Sequence, residues 1–149
     1  MTQLLLVEDD EDIRETFADV LRDNAYDVVE APNGRVALNL LQAGLRPRLI
    51  LLDYAMPVMD GAEFRARQLA DPALTEVPVV LMTAATGVQA IADALRPDFL
   101  LRKPFSLKEL FSTLAVALAN SAANRRPATV AAPPGFVDVV VSAKKGMLE

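Results

Sequence analysis

The sequence predicts an α/β fold built on a parallel sheet. Two observations carry that expectation. Short apolar runs, "QLLLV", "YDVVEA", "RLILL", "VPVVLM" and "DFLLR", recur along the chain, and segments with helical spacing of apolar residues separate them. Alternation of this kind marks βαβ units, whose strands lie parallel and are joined by right-handed crossovers.

The first run leads straight into five acids, Glu8 to Asp12. Crowded like charges raise one another's pKa and oppose compaction, so the acid run needs a compensating reason. Ile13, Phe17, Val20 and Leu21 fall at i, i+4, i+7 and i+8, which predicts the apolar face of a helix. Asp10, Glu11 and Asp12 then occupy its N-cap and first turn, where the helix dipole favours negative charge. Glu8 and Asp9 are left without that explanation.

"YDVVEA" gives a second strand, and "PNGRVALNLLQAG" a helix with Asn33 as N-cap and Gly44 as its stop. "RLILL" lacks alternation, as a strand buried on both faces does. The breaker-rich "DYAMPVMDG" is a loop that leads to a helix through Phe64 and Leu69, ended by "ADPAL". "VPVVLM" is the fourth strand, "GVQAIADAL" a short helix and "DFLLR" the fifth strand. In "SLKELFSTLAVALAN", Ser106 and Glu109 match a capping box. One domain therefore spans residues 1–120, with five strands and five helices. Residues 121–149 open with the Ala/Pro-rich "SAANRRPATVAAPPGF" and read as a flexible tail, within which "VDVVVS" keeps strand propensity.

Composition removes several function classes. A chain of 149 residues suits a single core. A net charge of -5 and a pI near 4.8 argue against direct nucleic-acid binding, which needs a basic face. With no cysteine and no histidine, thiol chemistry, Ser-His hydrolysis and zinc catalysis are poor candidates, and acid-base or metal work falls to carboxylates. No apolar run approaches the roughly 20 residues that cross a bilayer, and no signal peptide is apparent. These features predict a soluble, cytoplasmic protein.

Ligands of parallel sheets bind beyond the carboxyl ends of the strands. Those ends carry Glu8 and Asp9, then Asp53, then Thr83, then Lys103 followed by Pro104. Three carboxylates meeting there repel unless a cation neutralises them. Mg²⁺ fits, with Asp9 and Asp53 as direct ligands and Glu8 acting through water. Asp53 can then act as a nucleophile toward phosphorus, with Lys103 as a second cation and Thr83 as a donor to the product phosphoryl group.

"LLLVEDDEDIR", "LLDYAMPVMDG", "VVLMTA" and "LRKPFS", in this order, resemble the receiver domains of two-component response regulators, over about residues 3 to 120. The resemblance implies a flavodoxin-like, five-stranded parallel sheet in the order 2-1-3-4-5 with helices on both faces. It implies Asp53 as phosphoacceptor, Glu8 and Asp9 as the acid pair for Mg²⁺ (or Mn²⁺), and Ala55 lending a backbone carbonyl to the metal. Thr83 becomes the switch hydroxyl and Lys103 the phosphoryl contact, with a cis Lys103-Pro104 bond. The implied partners are a sensor histidine kinase or histidine phosphotransfer protein and a downstream effector protein, without nucleic acid or membrane insertion. The implied protein is a monomer or a weak phosphorylation-dependent dimer, and not an enzyme beyond self-phosphorylation and self-dephosphorylation.

Two departures stand out. Leu100 occupies the place where the family usually has Tyr or Phe, with Phe99 one position earlier, on the other face by strand alternation. The stretch from Thr83 to Lys103 is a couple of residues short, which trims the fourth helix. Two other functions compete: a degenerate receiver that binds partners without phosphorylation, and a phosphatase of the haloacid dehalogenase type. The latter resembles this chain in its Asp nucleophile but carries a second Asp two residues later, where this chain has Ala55. A nucleotide-binding Rossmann domain is weaker, because no glycine-rich turn follows the first strand.

Overall fold

A computed structural model of the protein describes residues 2–84, 90, 93 and 95–120. The strands are β1 (Thr2–Val7), β2 (Tyr26–Ala31), β3 (Leu49–Asp53), β4 (Val79–Thr83) and β5 (Phe99–Arg102). The helices are α1 (Glu11–Asp23), α2 (Gly34–Gln42), α3 (Gly61–Leu69) and α4 (Leu107–Ala119). All neighbouring strands pair parallel, in the order β2-β1-β3-β4-β5. The short helix expected over residues 87–95, apart from positions 90, 93 and 95, and the segment 121–149 lie outside the described residues.

The central strands read as continuous apolar runs because helices cover both faces. Every residue of β3 and β4 is buried. Leu5, Val7, Ile50, Leu52, Leu81 and Leu100 pack on one side against Leu38 and Leu41 of α2 and Phe64 of α3. Leu4, Leu6, Leu51, Met82, Phe99 and Leu101 pack on the other against Phe17 and Leu21 of α1 and Leu110 and Leu114 of α4. The helix starts are set by side chains: Asp10 accepts from the Ile13 N–H, Asn33 from Val36, Asp60 from Glu63, and Ser106 with Glu109 forms the reciprocal box.

Two features depart from the apolar periodicity. Ile13, expected on the buried face of α1, is 38% exposed; that face is instead Phe17, Ala18 and Leu21. Ile13 instead lines an open cavity with Phe17, Pro104 and Phe105. On α3, Arg65 and Gln68 are buried. Arg65 donates from Nε to the Leu95 carbonyl (2.9 Å), from Nη2 to the Arg96 carbonyl (2.5 Å) and from Nη1 to Gln68 Oε1 (2.7 Å). Gln68 Nε2 donates onward to the carbonyls of Leu74 (2.9 Å) and Val77 (3.0 Å).

Candidate functional site

The sheet's own hydrogen bonds run one residue past the strand ends and so fix the backbone from which the site is built. Glu8 N–H donates to Ala31 O (3.1 Å), Tyr54 N–H to Met82 O (2.9 Å) and Lys103 N–H to Thr83 O (2.9 Å). The side chains of Glu8, Asp53 and Lys103 are thereby delivered to one edge by three different strands. Glu8, Asp9 and Asp53 each place a carboxylate oxygen within 4.8 Å of the others. Lys103 Nζ lies 3.0 Å from Asp53 Oδ1 and 3.4 Å from Glu8 Oε1.

Charge balance defines the site's chemistry. Glu8 and Asp53 are buried, at 2% and 5% exposure, whereas Asp9 is exposed. Burial pushes the Asp53 carboxyl above its ordinary pKa even though Lys103 opposes the shift. Burial does the same to Glu8, and the nearby Asp53 charge adds to it. For Lys103, burial disfavours the ammonium, but the facing Asp53 and Glu8 carboxylates outweigh that and hold its pKa above the ordinary value. Three carboxylates against one ammonium leave two negative charges uncompensated when all are ionised. An all-oxygen donor set with surplus negative charge suits a hard divalent cation such as Mg²⁺.

The remaining sequence-expected residues occupy the same edge or the strands behind it. Thr83 ends β4 and is 3% exposed. Ala55, exposed, is the second residue of the loop between β3 and α3. The Lys103-Pro104 peptide is cis. Leu100 pairs with Leu81 and Phe99 with Val80 in unbroken register, so Leu100 faces α2 and α3 while Phe99 faces α1 and α4. Sequence reasoning missed Arg14. Its Nη1 donates to the Glu8 carbonyl (3.0 Å) and its Nε pairs with Glu30 (3.2 Å), which also pairs with Arg22 (3.2 Å). Glu30, at the end of β2, thus anchors α1 instead of joining the acid cluster.

Gly61 holds the β3–α3 loop close to Asp53. Its N–H donates to Tyr54 O (2.8 Å), and a Cβ there would come within 3.0 Å of Tyr54 Cα and 3.3 Å of Asp53 O. Gly61→Ala is expected to destabilise the fold by about 1–2 kcal/mol through overpacking. Because the backbone it displaces carries Asp53, it should also weaken the Mg²⁺-dependent rise in melting temperature. An unchanged response in a thermal Mg²⁺ titration would mean that the loop yields without moving the carboxylate.

The family model of the response regulator receiver domain matches residues 4–115. The chain belongs to the response regulator receiver family. It is 38% identical over 115 residues to the response regulator MprA of Mycolicibacterium vanbaalenii, an alignment covering 75% of this chain and 48% of that protein. The receiver therefore spans about half the length of that curated relative. Its fold matches the receiver domain of a sensor histidine kinase from Pseudomonas aeruginosa, solved with a magnesium ion coordinated in the active-site cleft. That match has a TM-score of 0.73 and 27% identity, and covers 79% of this chain and 98% of that one. It also matches the response regulator TrrA of Thermotoga maritima, solved in complex with Mg²⁺-BeF. Here the TM-score is 0.70 and the identity 26%, with 78% and 99% of the two chains covered. Receivers are phosphorelay components, typically phosphoacceptor switches rather than classical enzymes, and interact with histidine kinases and effectors. No helix of the described residues is long and apolar enough to cross a membrane.

Proposed function

We propose that this receiver, with residues 1–120 as its working unit, accepts a phosphoryl group on Asp53 from a phosphohistidine of a partner kinase or phosphotransfer protein. The meeting of Glu8, Asp9 and Asp53 within 4.8 Å, with Lys103 paired to Asp53, carries this reading. These 149 residues hold no histidine, so the donor histidine lies outside them. An Asp53 carboxylate oxygen attacks phosphorus, the P–N bond to the donor imidazole breaks, and its electron pair stays on the leaving nitrogen. The Lys103 ammonium, held by Asp53 and Glu8, offers a preorganised cation to the incoming phosphoryl oxygens. Glu8, Asp9 and Asp53, with the Ala55 carbonyl, would hold Mg²⁺, which when bound neutralises phosphoryl oxygen charge. Thr83 would then donate a hydrogen bond from its hydroxyl to the phosphoryl group and report the event to an effector through a shifted protein surface.

Ala55 stands where a phosphatase of the haloacid dehalogenase type has its acid/base carboxylate, which favours a long-lived acyl phosphate over turnover. Mass spectrometry after incubation with acetyl phosphate and Mg²⁺ tests the reading. A one-phosphate increase is expected, and it should vanish in Asp53→Asn. No labelling of the wild type would favour a receiver that works without phosphorylation, and rapid multiple turnover of the donor would favour the phosphatase.

A further inference from the structure

We propose that Arg14 is a positioning residue for the metal: through the Glu8 carbonyl it fixes the turn that carries Glu8 and Asp9, and so sets the affinity of the acid cluster for Mg²⁺. This rests on the Mg²⁺ reading above. The turn between β1 and α1 has to hold Glu8 and Asp9 close to Asp53 although their like charges push them apart. Lys103 relieves part of that repulsion, through its ion pairs with Glu8 and Asp53. Asp9 is exposed, and the planar peptide that joins it to Glu8 decides where its side chain starts from.

The Glu8 carbonyl belongs to that peptide, and Arg14 Nη1 donates to it at 3.0 Å. Other atoms of Glu8 are held separately: its N–H donates to Ala31 O (3.1 Å), its Oε2 accepts from the Asp10 N–H (3.1 Å), and its Oε1 faces Lys103. The Arg14 bond grips the Glu8–Asp9 peptide itself. Arg14 can do so because it is held from behind. Its Nε pairs with Glu30 Oε1 (3.2 Å), Glu30 Oε2 accepts from Arg22 Nη2 (3.2 Å), and the same Arg22 nitrogen donates to the Val28 carbonyl of β2 (2.9 Å). A continuous line of charge-assisted bonds therefore runs from the β2 backbone to the acid turn. The Arg14 side chain is 14% exposed, so water screens it little. A guanidinium suits the place, because its fork serves the Glu8 carbonyl and the Glu30 carboxylate from two different nitrogens.

Charge and position pull in opposite directions here. As a cation near three carboxylates, Arg14 disfavours a further cation, so on charge alone its removal would tighten Mg²⁺ binding. As a brace it does the reverse: without it the turn relaxes under the repulsion of its acids, and the carboxylates must be gathered again when the ion binds. Groups that orient metal ligands without touching the metal change its affinity by about 10–100-fold when they are removed. Position should therefore outweigh charge.

Mg²⁺ titrations of the full chain, followed through the amide resonances of Asp9 and Tyr54, test this. Arg14→Met is expected to weaken Mg²⁺ binding about tenfold. Arg14→Lys keeps the charge but supplies a single point donor in place of a fork, and should weaken binding as well. Ala37→Gly, on the buried face of α2, should lower the melting temperature and leave the Mg²⁺ affinity unchanged, so that a loss in the Arg14 variants cannot be ascribed to a loosened fold. Should Arg14→Met not fold, Arg14→Lys, which keeps a cation for Glu30, carries the same comparison. Equal or tighter binding in Arg14→Met, or wild-type affinity in Arg14→Lys, would overturn the proposal and leave Arg14 as an anchor of α1 alone. A wild type whose resonances ignore Mg²⁺ would overturn the metal reading itself, and this inference with it.

Discussion

Arg65→Met is expected to lower stability by about 3–5 kcal/mol. The substitution keeps the length and apolar bulk of the side chain but strips donors from three acceptors: Leu95 O, Arg96 O and Gln68 Oε1. Each buried acceptor left without a donor costs about 1–3 kcal/mol. Pairing the change with Gln68→Leu should not restore stability, because the carbonyls of Leu74 and Val77 then lose their donors as well. Apolar replacement of a buried polar cluster helps only when no acceptor is left behind. The network ties α3 to the chain segments that lead into β4 and β5, at the edge of the sheet opposite the acids. Urea denaturation should therefore show a lower midpoint with an unchanged slope, while the Mg²⁺ response of the folded protein persists. A mutant that stays stable would mean that the segment before β5 is held by its own packing.

The contrast between Arg65 and Lys103 shows where sequence is legible and where it is not. Lys103 was placed with Asp53, 50 residues away, because both sit at strand ends, and a parallel sheet brings all carboxyl ends to one edge. Topology alone pairs them. Arg65 has no such marker: a cation in a helical pattern reads as solvated, and its acceptors are carbonyls about 30 residues away in no particular motif. Strand alternation correctly separated Phe99 from Leu100, since register in an unbroken pair is a two-valued choice. The helix starts at Asn33 and Ser106 were legible because a cap is a local hydrogen bond. Ile13 departs from its expected burial because spacing fixes a helix face but not how far along that face the core extends. The breakers of "AMPVMDG" announced a loop without revealing that Val58 is the residue at positive φ.

Asp53→Asn is expected to make the metal-free protein more stable, by about 1–2 kcal/mol, and at the same time insensitive to Mg²⁺. Two negative charges are uncompensated at the mouth when Glu8, Asp9 and Asp53 are ionised against Lys103, and removing one leaves Lys103 still paired with Glu8 at 3.4 Å. Wild type should instead gain about 1.4 kcal/mol when Mg²⁺ is tenfold above its Kd, because only the folded chain gathers the three carboxylates. The pH dependence has a definite sign. Asp53 and Glu8 have folded pKa values raised from the ordinary 3.8 and 4.5, chiefly by burial. Their contribution to metal-free stability is complete below those ordinary values and is lost as pH rises through the folded ones, where the unfolded chain has already released its protons. Lys103, also raised, keeps its contribution until pH passes its ordinary 10.5 and loses it through the folded value, well outside this window. Melting curves taken without metal from below the ordinary values of 3.8 and 4.5 up to neutral pH should therefore show a fall that Asp53→Asn reduces and that Mg²⁺ offsets. A metal-free Asp53→Asn protein that melts below wild type at pH 7 would mean that the Lys103 pair outweighs the repulsion among the acids, and that the site is balanced without a cation.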